Sequence, residues 1–330
     1  MVDKWLSSWR SSRADINLIL VLAGSKTAEV EGISAAGTTA ESRQFTALAD
    51  AEFFLKGPNC PKEWPLPLLP AGVSPALISY VSSELLGIKP VVAAVGLPRM
   101  PSFPFLEVES PSQGPANCLI KGKAMNEARV EQLWQKGIAI GMKLKKPLLL
   151  AECVPGGTTT ALAVLTGLGI SAGEWVSGSH KNPPTKLKQN LVKAGLRAAG
   201  VSPQTSPQSL VAAIGDPFQP FAAGLLIGAR QSGLPVLLGG GSQMVAVLAL
   251  AIASIDLPLR PNFVEEIAIG TTAWLAEETI DISQHQSSFF KLITLIGEFF
   301  DLNIFGVSSG LRFHKSSKKV LKDYELGFIK

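Results

Sequence analysis

The sequence has few of the side chains that most often form disulfides or bind metals. Among its 330 residues are only 3 cysteines and 3 histidines. The cysteines are odd in number and widely spaced: Cys60, Cys118 and Cys153. The histidines have no partner at ligand spacing: His180, His285 and His314. We therefore expect no disulfide framework, no metal, no cofactor and a reducing, cytoplasmic location. His180, in the polar segment SGSHKNPP, is interpreted as a surface residue.

The chain also lacks a strong net charge and a long apolar run. The formal net charge is +4, and the basic clusters at 143–146 and 315–319 have few aromatic residues around them. Such clusters are typical of solvated faces, so no nucleic-acid partner is expected. The first apolar run, at 16–23, is too short to span a membrane, and no signal-peptide cleavage pattern follows it. A peripheral membrane partner, suggested only by the 46% hydrophobic content, is the weaker alternative.

What the sequence has is an alternation of short apolar runs and helical patterns. Runs rich in branched residues that end near small residues predict strands buried on both faces, at 16–23, 90–95, 147–151 and 234–238. Between the second and third runs, one stripe at helical spacing contains Val130, Leu133, Trp134, Gly137, Gly141 and Leu144. The pattern predicts an α/β fold, with a doubly wound, mainly parallel sheet flanked by helices. Ligands of such sheets bind at the carboxyl ends of the strands.

The same pattern changes near residue 260. Residues 16–260 are predicted to form the α/β nucleotide-binding core. Residues 261–330, together with the extreme N-terminus, are predicted to form a smaller, partly helical region, with a helix near 289–300.

The most informative segment is LLLAECVPGGTTTALAVLTG, residues 148–167. An apolar strand is predicted to end at Ala151 or Glu152, and a carboxylate in that place is costly unless it is paired or functional. Gly156 and Gly157 can turn sharply and approach a ligand closely. The threonines at 158–160 can cap the next helix, whose N-terminus attracts anions. These features predict a phosphate-binding loop. A glycine turn with a threonine cap and no ligand explains the same residues equally well.

A second glycine loop follows a later strand, in LPVLLGGGSQMVAVLALA. Gly239, Gly240, Gly241 and Ser242 precede an apolar helix, which places them at the ligand-binding edge. Tight strand–helix packing is the alternative explanation. Neither loop contains Gly-Lys-Ser/Thr or GxGxxG, and the chain has no GxSxG motif or Cys–His pairing that would indicate a covalent hydrolase.

In order along the chain, these motifs resemble the nicotinate-nucleotide:dimethylbenzimidazole phosphoribosyltransferase family. More closely, the sequence is similar to its divergent archaeal and cyanobacterial branch, of the UPF0284 type. The family's GEMGIGNTTTAA is matched by AECVPGGTTTALA, and its AGDHGVAAEGVSA by LAGSKTAEVEGISAAG. Two further segments of this sequence also match motifs of the family: NCLIKGKAMNEARVEQLWQKGIAIG and GDPFQPFAAGLLIGARQSGLPVLLGGGSQMVAVLALA. Together they extend over most of residues 16–258.

The resemblance implies a pentosyltransferase that moves 5-phosphoribosyl from nicotinate mononucleotide to dimethylbenzimidazole or a related base, adenine included, in synthesis of the cobamide lower ligand. It implies a homodimer and nicotinate mononucleotide and an aromatic base as substrates. Glu152 becomes the candidate catalytic carboxylate. Lys186 and Lys188 both lie near the position of a phosphate-contacting lysine, and Lys188 is chosen. The implied substrate-binding residues are Gly156, Gly157, Thr158, Thr159, Glu31, Gly240, Gly241, Ser242 and Lys188.

Three departures from the family pattern affect this expectation. Ser25 and Lys26 replace an Asp-His pair, and Gly239 replaces an aspartate. The family's proposed catalytic base is a C-terminal glutamate, and the stretch that precedes it is matched here by YELGFIK at 324–330. The base is therefore expected beyond Lys330. A shortened chain, a base supplied otherwise, or a non-catalytic nucleotide-binding homologue would each explain this third departure.

Overall fold

The protein is described by a computed structural model that covers residues 2–12, 15–66, 74–176, 183–278, 287–323 and 325. The strands in these ranges are β1 (Asn17–Ala23), β2 (Val91–Val95), β3 (Leu106–Glu107), β4 (Leu148–Cys153), β5 (Val236–Gly239), β6 (Ile267–Thr271) and β7 (Gly306–Ser308). The α-helices are α1 (Val2–Ser11), α2 (Ala40–Lys56), α3 (Pro75–Leu86), α4 (Glu127–Gly141), α5 (Gly157–Gly167), α6 (Thr185–Ala199), α7 (Pro207–Ile214), α8 (Phe218–Gln231), α9 (Ser242–Ala253), α10 (Arg260–Val264), α11 (Ala273–Ala276), α12 (Ser288–Phe300) and α13 (Lys319–Asp323).

The strands of the described ranges form one parallel sheet in the order β3-β2-β1-β4-β5-β6-β7. From β1 the chain first adds strands on one side, through β2 to β3. It then returns to the other side of β1 with β4. The predicted doubly wound α/β fold is confirmed. The topological switch point lies between β1 and β4, where ligands of such sheets bind.

Side chains of successive residues in β4 enter two different cores. Leu148 and Leu150 belong to the larger core, which also contains buried residues of α4 to α9. Leu149 and Ala151 pack on the smaller core, formed with β1, β2 and α2. Because side chains alternate along a strand, Glu152 faces the larger core and Cys153 faces α2. The end of β4 therefore presents one titratable group to each layer of helices.

Strands also occur in the region after residue 260. β6 and β7 continue the same sheet, and α12 buries Phe289, Leu292 and Ile296 in the larger core. From the other chain end, the Trp5 indole N–H of α1 donates to the Val236 carbonyl. The helix predicted near 289–300 is confirmed. The division of the chain near residue 260 stays a prediction.

Helices α4 and α8 touch backbone to backbone. Gly137 and Gly141, both on the predicted stripe of α4, face Gly224 and Gly228 of α8. A Cβ at Gly224 would overlap with the Trp134 carbonyl oxygen. Only glycine allows this separation, because any side chain there would force the two helices apart.

We expect Gly224→Ala to lower the free energy of unfolding by about 2–3 kcal/mol, because the added methyl has no free volume to occupy. Urea unfolding monitored by circular dichroism measures this change. Gly310→Ala is the matched control, since a Cβ there meets no atom within 4 Å. Equal stability of the two variants would contradict the close helix contact.

Candidate functional site

A narrow cleft opens at the switch point, where β1, β2 and β4 end. Its lining includes Ser25 after β1, Pro98 after β2 and Pro155 after β4. The buried Arg43 of α2 forms one wall and donates to the carbonyls of Ala28 and Gly37 at 2.6 and 3.2 Å. These bonds hold the 3-10 helix Lys26–Glu29 against the sheet edge. The Ser25 hydroxyl accepts a hydrogen bond from the Thr27 N–H, so the residue that departs from the family pattern caps this helix.

The loop after β4 turns at Gly156 and leads into α5. β4 extends to Cys153, beyond the predicted end. Gly156 precedes the helix in the left-handed conformation, with φ at 76°. The threonines lie within the first turn of α5 and form no N-terminal cap, so the predicted threonine cap is wrong. The reason is that Gly156 already makes the turn, which moves the helix start forward to Gly157.

Both glycines of this loop are closely packed within the protein. A Cβ at Gly156 would lie 3.0 Å from the backbone of Ala28, and one at Gly157 would lie 2.6 Å from the Gln243 side-chain nitrogen. Because neither glycine has a side chain, the loop packs directly against the 3-10 helix on one side and against α9 on the other. Their contact with a ligand stays a prediction.

Lys188 of α6 reaches the first turn of α5. Its Nζ donates to Thr158 Oγ1 at 2.8 Å, although the residues are 30 positions apart in sequence. Burial lowers the pKa of Lys188 to about 8, and the Glu278 carboxylate opposes that shift. Next to Thr158, the hydroxyl of Thr159 is fully buried and has no hydrogen-bond partner among the described residues. A cation and hydroxyl groups therefore meet at the positive end of a helix, which suits an anion.

Glu152 stands at the end of β4, on the face that carries α5, α8 and α9. It keeps part of its surface open to solvent, yet protein atoms enclose the carboxylate closely. Burial raises its pKa to about 7, and the negative charge of Asp216 raises it further, whereas the Val154 backbone N–H opposes the shift by donating to the carboxylate. A carboxylate that changes charge near neutral pH is suited to proton transfer.

Asp216 belongs to the site although the sequence does not predict it. It is fully buried and accepts hydrogen bonds from Thr160 Oγ1 and from Gln243 Nε2, the latter at 2.8 Å. Gln219 Nε2 in turn donates to Gln243 Oε1 at 3.0 Å. Burial raises the pKa of Asp216, and its hydrogen bonds act against this rise. The resulting network joins α5, the start of α8 and the start of α9.

A second carboxylate lies behind β4, in the smaller core. Asp50 of α2 accepts a hydrogen bond from Ser74 Oγ at 2.7 Å and lies 3.8 Å from the Cys153 thiol. Burial raises the pKa of Asp50 to about 6. Burial of the Cys153 thiol raises its pKa well above its ordinary value, and the negative charges of Asp50 and Glu152 raise it further.

The second glycine loop adjoins the first through Gln243. Gly241 precedes α9 without a side-chain cap, and the buried Ser242 begins that helix. A Cβ at Gly240 would lie 2.9 Å from Met244, and one at Gly241 would lie 2.7 Å from Leu275. Tight packing, the alternative explanation, accounts for both glycines. Their role as substrate-binding residues stays a prediction.

Glu31, one of the implied substrate-binding residues, and His314 both lie at the surface. Glu31 is exposed, in the turn that follows the 3-10 helix. His314 is exposed and lies 3.8 Å from the Glu325 carboxylate. Across the described ranges, no group of three His, Cys, Asp or Glu side chains is arranged around a common metal position, and none of the helices could cross a membrane.

Several predictions fall on residues that the structure does not describe. His180, His285 and the segment 326–330, which ends at Lys330, lie outside the described residues. The surface position of His180 therefore stays a prediction. The catalytic base expected beyond Lys330 likewise stays a prediction, and Glu152 is the candidate carboxylate that the described part of the chain offers.

We expect Glu152→Gln to gain stability over the parent as pH rises. The folded pKa of about 7 lies above the ordinary value of 4.5, so folding favours the protonated acid. The stability that protonated Glu152 contributes is complete below pH 4.5 and is lost as pH rises through 7. Glutamine stays neutral over this range. The free energy of unfolding of the variant, relative to that of the parent, should be about 1–3 kcal/mol higher at pH 8.5 than at pH 4.5. Urea unfolding at both pH values measures this, and an unchanged difference would contradict it.

Comparison with known proteins places the chain in a family. The family model described as phosphoribosyltransferase, DBI_PRT, matches residues 81–258. The UPF0284 protein of Prochlorococcus marinus (strain MIT 9313) is 54% identical over 328 residues, which is 99% of this chain and 81% of that protein. The UPF0284 protein of Crocosphaera subtropica is 39% identical and covers 99% of this chain and 86% of its own length.

A solved structure has the same fold. The nicotinate-nucleotide-dimethylbenzimidazole phosphoribosyltransferase of Thermus thermophilus aligns with a TM-score of 0.62, at 18% identity, over 94% of this chain and 79% of its own. At this identity the likeness concerns the fold alone. The sequence matches show that this chain belongs to the phosphoribosyltransferase family defined by that model, within its UPF0284 group. The resemblance predicted from the motifs is confirmed.

Proposed function

We propose that this protein transfers 5-phosphoribosyl from nicotinate mononucleotide to dimethylbenzimidazole or a related aromatic base, adenine included, in synthesis of the cobamide lower ligand. The observation that carries the proposal is the meeting of Lys188 with Thr158 at the start of α5, beside Glu152 at the end of β4. The proposed reaction needs an anion site for the phosphate and a carboxylate for the charge that develops on the ribose. This site offers both.

The 5′-phosphate is assigned to the first turn of α5. The helix N-terminus supplies a partial positive charge, and Lys188 adds a full one at neutral pH, where most of its population is protonated because its pKa is about 8. Thr158 and Thr159 supply hydroxyl donors. On binding, the phosphate would accept the hydrogen bond from Lys188 Nζ that Thr158 Oγ1 accepts in the structure. The proposed anion site thus contains its own charge before the ligand arrives.

The reaction breaks the bond between C1′ of the ribose and the pyridinium nitrogen, and that electron pair leaves with nicotinate. A ring nitrogen of the acceptor attacks C1′, and a base takes the acceptor's N–H proton. Positive charge develops on the ribose during this exchange. An ionised Glu152 stabilises that charge and orients the acceptor. Its neutral form would not, so the rate should depend on the charge of this residue.

The test is a turnover assay with nicotinate mononucleotide and a panel of purine and benzimidazole acceptors. Chromatography follows nicotinate release and the appearance of the new nucleotide, and calorimetry measures donor binding. We expect donor binding and acceptor-dependent release of nicotinate. Binding without release from any acceptor would support a non-catalytic nucleotide-binding homologue. Absence of donor binding would contradict both functions. Homodimerisation, also proposed from the family, is measured by light scattering of the same sample.

A further inference from the structure

Asp216 is enclosed by hydrogen-bond donors. Its Oδ1 accepts from the backbone N–H groups of Phe218 and Gln219, at 3.0 and 3.3 Å. Its Oδ2 accepts from Thr160 Oγ1 and Gln243 Nε2. Four hydrogen bonds to one carboxylate favour its ionised form and offset part of the cost of burying the charge, although burial still raises the pKa of Asp216. The donors come from α5, α8 and α9, so one side chain connects the starts of three helices.

The direction of the hydrogen bonds in this network is fixed. The Asp216 backbone N–H donates to Gln219 Oε1 at 3.1 Å, which leaves the Gln219 amide nitrogen to donate to Gln243 Oε1. Gln243 Nε2 must then point at Asp216 Oδ2. Position 216 therefore requires an acceptor on both sides, because an amide nitrogen there would meet either the Gln243 donor or the backbone N–H groups of Phe218 and Gln219. Flipping Gln243 would only move the conflict to Gln219.

Glu152 lies close to this network on the same face of the sheet. It receives one hydrogen bond, from the Val154 N–H, whereas Asp216 receives four. When the two acids compete for a proton, Asp216 therefore keeps its charge and Glu152 takes the proton. The other titratable groups nearby are Cys153 and Asp50, toward the α2 layer, and Lys188 of α6, which is bonded to Thr158.

We propose that Asp216 is a positioning residue for the transfer: it fixes the first turns of α5 and α9 to each other and keeps a negative charge beside Glu152. Both glycine loops are then held by one buried carboxylate, and Glu152 is the acid of the pair that gains a proton as the pH falls. The proposal rests on the proposed function for the reaction that it serves. The effect of Asp216 on Glu152 needs no substrate.

The test compares Asp216→Asn with the exposed control Asp256→Asn in protein labelled with ¹³C at the glutamate carboxyl. Carbon NMR from pH 4.5 to 9 follows Glu152, whose signal is assigned by its absence in Glu152→Gln. We expect the Glu152 midpoint to fall by about one pH unit in Asp216→Asn and to stay unchanged in the control. A folded Asp216→Asn protein with the parent midpoint would overturn the proposal.

A rescue variant separates charge from folding. In Asp216→Asn with Gln243→Glu, the carboxylate introduced at position 243 accepts from the new amide at position 216 and from Gln219, so the network regains its donors, acceptors and charge. We expect this double variant to recover the melting temperature lost by the single one and to restore the Glu152 midpoint to within about half a unit of the parent. If Asp216→Asn fails to fold, the double variant alone decides. A Glu152 midpoint in the double variant that lies a full pH unit below that of the parent would then overturn the proposal. Absence of turnover in the parent would count against the proposed function only.

Discussion

Glu152→Gln is expected to lower kcat/KM for nicotinate release by about 10²–10⁴-fold, because the amide keeps the shape of the side chain and removes its charge. The proposed reaction builds positive charge on the ribose, and a neutral group at the end of β4 cannot stabilise it. Donor affinity should change far less than kcat, since the phosphate is bound elsewhere, at α5. Steady-state kinetics with each substrate varied in turn separates the two effects.

The pH dependence gives the same prediction a second measurement. With a Glu152 pKa of about 7, the parent rate should rise as pH increases through that value and reach a plateau above it. The residual rate of Glu152→Gln should lack this rise. Glu174→Gln is the matched control, because the Glu174 side chain is exposed, whereas protein atoms enclose the Glu152 carboxylate. A variant that retains both the rate and the acid limb would contradict the assigned role.

Lys188→Met is expected to weaken binding of nicotinate mononucleotide by about 10–100-fold, since a hydrogen bond to a charged group contributes about 1.5–3 kcal/mol. Methionine keeps most of the buried aliphatic stem and removes the charge. The loss should be smaller for nicotinate riboside, which has no phosphate to contact. Titration calorimetry with both ligands, at two salt concentrations, measures the difference.

Lys186 provides a control within the same helix. It is exposed, whereas Lys188 is buried with its ammonium group at Thr158. Lys186→Met should bind the donor as the parent does. Equal losses from both substitutions would indicate a diffuse electrostatic effect and would contradict a defined phosphate contact. The structure thus gives opposite expectations for two lysines that lie two positions apart in the sequence.

Much of the fold can be predicted because each long central strand is one apolar run. The runs predicted for β1, β2, β4 and β5 each agree with the structure to within two residues of an end, although β4 continues to Cys153. β3 and β7 contain only two and three residues, which is too few for hydrophobic periodicity to register. β6 lies in the part of the chain that is predicted to be partly helical, and its run IAIGT includes small and polar residues.

The site is harder to predict because its contacts join distant positions. Glu152 and the glycine loop stand out locally, as polar or flexible residues after an apolar strand. Asp216 lies 56 positions from Thr160 and 27 from Gln243, and nothing near it in sequence indicates either of these distant partners. A buried aspartate just before a helix resembles an ordinary helix-initiating residue until the three segments meet. The threonine cap is wrong for a related reason: propensity locates the start of a helix only within a residue or two.

The glycine contact between α4 and α8 also bears on how the protein can move. With no side chains between their backbones, these two helices cannot slide or rotate without atomic overlap, and they behave as a single rigid block under the sheet. Closure around a substrate must then come from elements outside that block.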